Sequence, residues 1–529
     1  MRIIRILGSI IVVLAVFHLG AAPGRAATSE PAEVAQWDVF ELALNGPVDG
    51  NPFLEVNVSA RFTQGSRTQE VHGFYDGCGL YKIRLMPDSL GKWQYSTKSN
   101  RPELDGKSGE FSVVQPGKNK HGPVRVHGTF HFAYADGTPF RPIGTTCYAW
   151  IHQGDALEEE TLKTLAATPF NKIRFCIFPK RYVWNSNEPV YYPFEGVAPN
   201  SWDFSRPNPA FFHHFERRVA QLRDLGIEAD IILFHPYDGG HWGFDRMGAT
   251  NDDRYLRYVV ARLAAYSNVW WSLANEFDLI ESKKMSDWDR LFQIVQVEDP
   301  YQHLRSIHQD RVYYDHNKPW VTHASVQNAV AVLDYGRAMI YRDVYHKPIV
   351  FDEVRYEGNI PSPFGNLTAE QLVLRFWTGT VAGTYVGHGE TYMSPDEVLW
   401  WSKGGVLHGM SPPRIAFLRS ILEESPADGI NPIDGWQEIG VGGKRGEYYL
   451  VYFGTESRTS WKFQLFSAGL KDGMKFSVEV LDTWNMTILP VEGMFTVKRH
   501  DAFSFEDIDR KCVSLPGRPY MALRILRRQ

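Results

Sequence analysis

The sequence predicts an α/β protein whose centre is a (β/α)8 barrel flanked by two small β-sandwich domains. Three observations carry this. Short runs alternating apolar and polar residues occupy both ends, eight buried-strand segments alternate with helix-like segments between them, and 529 residues exceed what one core supports, roughly 250–300.

The N-terminal module spans residues 30–118. Runs such as Phe53-Leu54-Glu55-Val56-Asn57-Val58 and Tyr81-Lys82-Ile83-Arg84-Leu85 alternate with the period of half-buried strands, and Gly, Asp and Pro separate them. Gln115-Pro116-Gly117-Lys118-Asn119-Lys120 reads as a linker, after which the rhythm changes.

The barrel is expected over 122–425. Its candidate strands are Pro142 to Tyr148, Lys172 to Phe178, Glu228 to Phe234, Val269 to Ala274, His303 to His308, Trp320 to Ala324, Pro348 to Asp352 and Gly383 to Gly387. Helix-like stretches between them include Glu158 to Ala167, Pro209 to Leu225, Asp253 to Tyr266 and Trp288 to Val297, and Leu225-Gly226-Ile227 reads as a helix stop. Strands alternating with helices imply a parallel sheet covered by helices, and eight such units suit the usual barrel size. Alternation returns over 430–529, as in Phe476-Ser477-Val478-Glu479-Val480-Leu481-Asp482, and predicts the second sandwich.

Residues 1–27 read as a signal peptide. Arg2 and Arg5 precede an apolar run from Ile6 to Leu19, and small residues follow up to a cleavage position near Ala26 or Ala27. The run is short for a span of about 20 residues, so export is expected without stable membrane insertion. No Cys follows the run, which argues against a lipoprotein. The formal net charge of -5 supplies no electrostatic reason for a nucleic-acid partner. Four cysteines are too few for a disulfide scaffold and are not spaced for zinc; Cys147 and Cys176 lie in apolar runs as buried thiols do.

In a barrel of this kind chemistry gathers at the C-terminal ends of the strands, so acids that break an apolar run there are the candidates. Glu276 follows Val269-Trp270-Trp271-Ser272-Leu273-Ala274-Asn275 on the fourth strand, and Glu353 follows Pro348-Ile349-Val350-Phe351-Asp352 on the seventh. Glycosidic cleavage needs such a pair, one acid to protonate the leaving oxygen and a second carboxylate to attack carbon or activate water. Asp352 is expected to turn to the opposite face as a structural partner, and Glu357, in the next loop, is the second choice for the nucleophile.

Asn275 can hydrogen-bond a sugar hydroxyl, and Arg174 on the second strand can keep Glu353 ionised. His235, His323, His308, His388 and Glu390 are further candidates at strand ends. Tyr148, Trp150, Trp242, Trp400 and Trp401 offer stacking surface. The segment from Lys180 to Pro207 is expected to wall a closed pocket suited to exo-action.

Ser272-Leu273-Ala274-Asn275-Glu276 and Ile349-Val350-Phe351-Asp352-Glu353 resemble the signature of the retaining glycosidases of clan A. Phe140-Arg141-Pro142-Ile143-Gly144-Thr145-Thr146-Cys147-Tyr148-Ala149-Trp150, Asn171-Lys172-Ile173-Arg174-Phe175 and Leu399-Trp400-Trp401-Ser402-Lys403-Gly404-Gly405 resemble the apiosidase-like barrels, over nearly the whole mature chain. The resemblance implies a retaining glycoside hydrolase with Glu276 as acid/base, Glu353 as nucleophile and Asn275 orienting the sugar. It implies a carbohydrate substrate with a pentose or furanose unit, and no cofactor. Two other classes remain open on the residues: a metal-dependent hydrolase using the strand-end histidines and acids, and a non-catalytic carbohydrate-binding protein.

Overall fold

A computed structural model describes residues 32–394, 398–433 and 439–529. The expected signal peptide lies outside the described residues.

Between residues 32 and 114 a sheet built from Val58–Gln64, Arg67–His72, Gly91–Ser99 and Ser108–Val114 takes Ala32–Ala35 on one edge. A three-stranded sheet of Phe40–Asn45, Phe74–Tyr75 and Leu80–Leu85 faces it. The alternating apolar residues meet between the layers, where Phe40 stacks on Phe111 at 3.8 Å. This module is joined to the barrel by buried charge. Arg84 binds Glu216 and Glu41, Arg262 binds Glu216 and Asp76, and Lys82 binds Asp76. Arg84 and Arg262 each meet carboxylates from both sides of the interface, and such pairing is the condition under which buried charges are tolerated.

The barrel strands are β1 (Gly144–Thr146), β2 (Lys172–Cys176), β3 (Glu228–Phe234), β4 (Val269–Ala274), β5 (Arg305–Ser306), β6 (Ala324–Gln327), β7 (Ile349–Glu353) and β8 (Tyr385–His388). They pair in parallel in the order β5-β4-β3-β2-β1-β8-β7-β6. The seam between β5 and β6 is bridged by single contacts, Thr322 N to Arg305 O at 3.0 Å and His308 Nδ1 to Ser325 Oγ at 3.0 Å. β2, β3 and β4 are buried along their whole length on both faces; β4 and the second half of β3 read as continuous apolar runs, while the charged residues of β2 and the start of β3 point into the barrel, where Lys172 meets Asp230.

The covering helices are α1 (Asp155–Ala166), α2 (Pro209–Asp224), α3 (Ala249–Leu263), α4 (Met285–Glu298), α5 (Tyr335–Tyr345), α6 (Ala369–Val381) and α7 (Ser411–Glu423). Local chemistry sets several ends. Asn208 caps α2 ahead of Pro209, Thr368 and Gln371 form a capping box on α6, and Gly226 at φ 72° ends α2 with Ile227 N bonded back to Leu222 O. Among the described residues a loop, not a helix, follows β5.

Two expected strands shift. The fifth shrinks to Arg305–Ser306, and the sixth begins at Ala324 instead of ending there, because Thr322 is taken by Arg305 through its backbone N–H and its hydroxyl. His323 therefore precedes its strand and lies at the N-terminal end of the barrel. That end is closed by the sheet of Val124–His127, His131–Tyr134 and Pro139–Phe140, whose Phe132 and Phe140 pack on Trp270.

The C-terminal region is a nine-stranded sheet with a two-stranded ribbon, around a core that includes Tyr449, Phe463, Phe476, Phe495 and Leu523. It docks on α6, where Trp377 stacks on Tyr452 at 5.5 Å. All four cysteines are free, with Cys147 and Cys176 buried. No helix of the described residues is long and apolar enough to cross a membrane.

Candidate active site

At the C-terminal mouth of the barrel the two glutamates meet unlike surroundings. Glu353 ends β7, and its Oε1 collects three donors. These are the Tyr148 hydroxyl, Arg174 Nη1 at 3.4 Å and His308 Nε2 at 3.3 Å. Burial alone would raise its pKa, but His308 through hydrogen bond and charge, the Arg174 guanidinium and the Tyr148 hydroxyl together hold it down at about 2. Glu276, just past β4, moves the other way. Burial first, then the charge of Glu353, push its carboxyl up to about 8, against the ammonium of Lys180 and a hydrogen bond with Gln327. Its Oε2 is buried without a protein partner.

The backbone contributes too. Glu276 has φ 46°, a left-handed conformation costly for a residue with a Cβ and of the kind that gathers at functional sites. The chain is held there because Asp278 accepts the N–H groups of Asp310, Arg311 and Val312 at 2.7–2.8 Å, tying this turn to the loop after β5.

Supporting residues lie around the pair. Tyr148 is buried, and the same oxygen that donates to Glu353 lies 3.1 Å from Asn275 Oδ1 and 3.2 Å from Arg174 Nη1. Burial and the neighbouring Glu353 charge raise the Tyr148 phenol well above its ordinary pKa, so it remains a donor. Trp401 meets Tyr148 edge-on at 5.6 Å and Tyr182 at 5.5 Å.

Beneath them runs a polar layer. Lys172 Nζ donates to Asp230 at 2.6 Å and Asp352 at 3.0 Å, Ser325 donates to Asp352 at 2.6 Å, and His308 Nδ1 meets Ser325. Asp352 thus does not turn to the opposite face. It points inward below Glu353, and the charges of Lys172, Arg174 and His308 outweigh its burial and hold it well below the usual carboxylate range.

The remaining sequence candidates are placed elsewhere. His235 borders the site behind Lys180, but its Nε2 faces Phe178 O at 3.2 Å and its Nδ1 accepts Tyr237 N–H at 3.1 Å; burial and the Lys180 charge lower its pKa to about 3. His323 packs between Phe132 and Trp270 at the other end of the barrel. His388 binds Thr145 and lies on Phe170, ring to ring at 4.5 Å. Trp150 is core, edge-on to Phe175, and Trp400 donates to Thr145. Trp242 donates to Glu188. Glu390 accepts the N–H groups of His408 and Gly409, and Glu357 those of Met410 and Ser411, so both acids anchor the turn into α7.

Sequence reasoning missed Lys180, Tyr182, Tyr237, Tyr356 and Gln327. Lys180 had a usable signal, a cation just past the second strand; Tyr182, Tyr237 and Tyr356 come from loops whose path no local pattern reveals, and Gln327 ends β6, the strand whose position shifts.

Away from the glutamates, Asp155, Glu158 and His214 bring ligand atoms within 4.8 Å of one another. Arg217 and Arg218 pair with Asp155, and Arg218 also with Glu158 and Glu159, so arginines already supply the positive charge a metal ion would bring.

Comparison with known proteins agrees with this architecture. Residues 127–474 match the family described as apiosidase-like, catalytic domain. Residues 33–100 and 436–526 match two domains of unknown function, DUF5060 and DUF5605. A Bacteroides vulgatus protein described as a candidate glycoside hydrolase has a solved structure that is 40% identical, with TM-score 0.91, covering 94% of this chain and 100% of its own. A family 5 glycoside hydrolase from the same organism shares the fold at 14% identity and TM-score 0.56, over 77% of this chain and 93% of its own. No curated protein matches the chain by sequence. The chain belongs to the apiosidase-like catalytic-domain family, and it is a glycoside hydrolase.

Proposed function

We propose that this enzyme cleaves a poly- or oligosaccharide with retention of configuration, by double displacement, with Glu353 as nucleophile and Glu276 as general acid and then general base. The observation that carries the reading is the opposite displacement of the two carboxyls, to about 2 for Glu353 and about 8 for Glu276. At neutral pH one is ionised and able to attack an anomeric carbon, while the other still holds the proton a leaving oxygen needs. Once the glycosyl-enzyme forms, the negative charge of Glu353 is gone. Glu276 then loses a repulsive neighbour and ionises more readily, as its second role as base requires. Tyr148 and Arg174 orient Glu353, and Asn275 is placed to bind a sugar hydroxyl beside the reacting carbon.

Exo-action is the second part of the proposal. Glu276 is 7% exposed and Asn275 1%, which suits a pocket better than an open groove. The wall between Lys180 and Pro207 is braced, since Glu188 accepts from Tyr192, His241 and Trp242. Export through the N-terminal leader completes the reading, and N-terminal sequencing of secreted enzyme checks it.

The test is product release from a panel of glycans and aryl glycosides, with the anomer followed by NMR. Wild type should release a sugar of retained configuration from chain ends. Glu276→Gln should lose roughly 10²–10⁴-fold on substrates with poor leaving groups. Inversion, or full activity in both Glu276→Gln and Glu353→Gln, would overturn the assignment.

A further inference from the structure

The mechanism above leaves one buried cation unused. Lys180, 2% exposed, lies four residues beyond the end of β2. Its ammonium stands 3.7 Å from the ring centre of Tyr148, 4.1 Å from Tyr237, 4.5 Å from Tyr182 and 5.2 Å from Trp401. Its backbone is fixed as well, with Asn185 donating to Lys180 O at 2.6 Å and Arg181 N donating to Tyr237 O at 2.7 Å.

Lys180 differs from its neighbouring cations in having, among the described residues, no carboxylate in contact. Lys172 is paired with Asp230 and Asp352. Arg174 is paired with Glu353. Among the described residues no carboxylate forms an ion pair with Lys180, whose close neighbours are ring faces. Aromatic faces attract a cation without cancelling its charge, so a desolvated ammonium held this way retains an unmet demand for an anion. Burial pulls the Lys180 ammonium down to about 8, with Glu276 and Glu353 among the groups opposing the fall, as expected for a cation lacking a close counterion.

Position decides which part of a substrate would supply that anion. Tyr148, the nearest ring, donates to Glu353 and meets Asn275, the residues assigned to the attacked sugar. Through Tyr148, Lys180 is therefore placed beside the attacked sugar, with the charge of Glu276 also within its reach.

We propose that Lys180 is the specificity determinant of the glycon subsite and that this subsite takes an acidic sugar, a uronide whose carboxylate pairs with the ammonium inside the aromatic wall. The inference rests on the glycosidase reading and goes beyond it, since the family resemblance points to a neutral pentose or furanose.

Calorimetric binding to the full-length enzyme tests it without requiring turnover. The probes are the methyl glycosides, in both anomers, of glucuronic and galacturonic acid against those of glucose and galactose. Wild type and Glu353→Gln should prefer at least one uronide over its neutral counterpart by about tenfold or more, as a charge-assisted contact in a desolvated site implies. Lys180→Met, checked by its melting curve, should bring that ratio to about one, and Lys180→Arg should keep most of it; Lys180→Gln replaces the methionine variant if that one misfolds. Failure of every uronide to bind, a ratio near one in wild type, or a preference that survives the loss of charge would each overturn the proposal. Absence of cleavage of any glycoside would instead count against the glycosidase reading, and these ratios would still decide the role of Lys180.

Discussion

The hydroxyl of Tyr148 donates to Oε1 of Glu353, the oxygen that Arg174 and His308 also approach. Three donors on one carboxylate oxygen stabilise the ionised form and fix its orientation, leaving Oε2 as the freer atom. Replacing the tyrosine removes one donor and leaves its ring.

Tyr148→Phe should therefore lower kcat/KM by roughly 10- to 100-fold, the range of a lost hydrogen bond to a charged group. The pKa of Glu353 should rise, and the acid limb of the kcat/KM profile should move to higher pH. An unchanged acid limb would show that the hydroxyl does not tune the nucleophile.

The pH profile of the wild type should be broad and bell-shaped. Activity is lost as pH rises through about 8, where Glu276 gives up its proton, and as pH falls toward about 2, where Glu353 gains one. The two groups titrate as an interacting pair, so the limbs report the pair. With an aryl glycoside whose leaving group needs no protonation, Glu276→Gln should lose the alkaline limb.

Glu276 should also limit stability. Its folded-state pKa of about 8 lies above the unfolded value of 4.5, so its contribution to stability declines as pH rises from about 4.5 to 8. Glu276→Gln should then be the more stable protein at pH 8, by an amount on the order of a few kcal/mol, and little different at pH 4. Denaturant unfolding at the two pH values measures the difference, and a wild type more stable than the variant at pH 8 would contradict the burial argument.

Glu357 and Glu353 are separable by what they hold. Glu357 accepts the N–H groups of Met410 and Ser411 at the start of α7 and the Tyr392 hydroxyl. Glu357→Ala should cost about 1–3 kcal/mol of stability by leaving buried donors unpaired, and should lower the melting temperature more than turnover at 25 °C. Loss of activity matching that of Glu353→Gln in a fully folded variant would make Glu357 the better nucleophile candidate.

Much of this arrangement is legible in the sequence. Continuous apolar runs ending in Asn275-Glu276 and Asp352-Glu353 announce buried parallel strands with acids at their C-terminal ends, because the period of the pattern and the point where it breaks are local properties of the chain. Glu228 to Phe234 and Val269 to Ala274 match their strands residue for residue for the same reason.

Tertiary structure alone decided the rest. Whether a histidine is a ligand or a packed ring depends on which segments arrive around it, so His308 reaches Glu353 while His323, at the shifted start of β6, meets Phe132 and Trp270. The pKa difference follows from the burial of Glu276 and from donors that the ends of β1 and β5 and strand β2 bring to one oxygen of Glu353, and the aromatic wall of Lys180 from four rings in separate segments. Local pattern determined which residues could carry charge at the mouth of the barrel. Closure of the sheet, by setting long-range distances that no local pattern encodes, decided which of them answer one another.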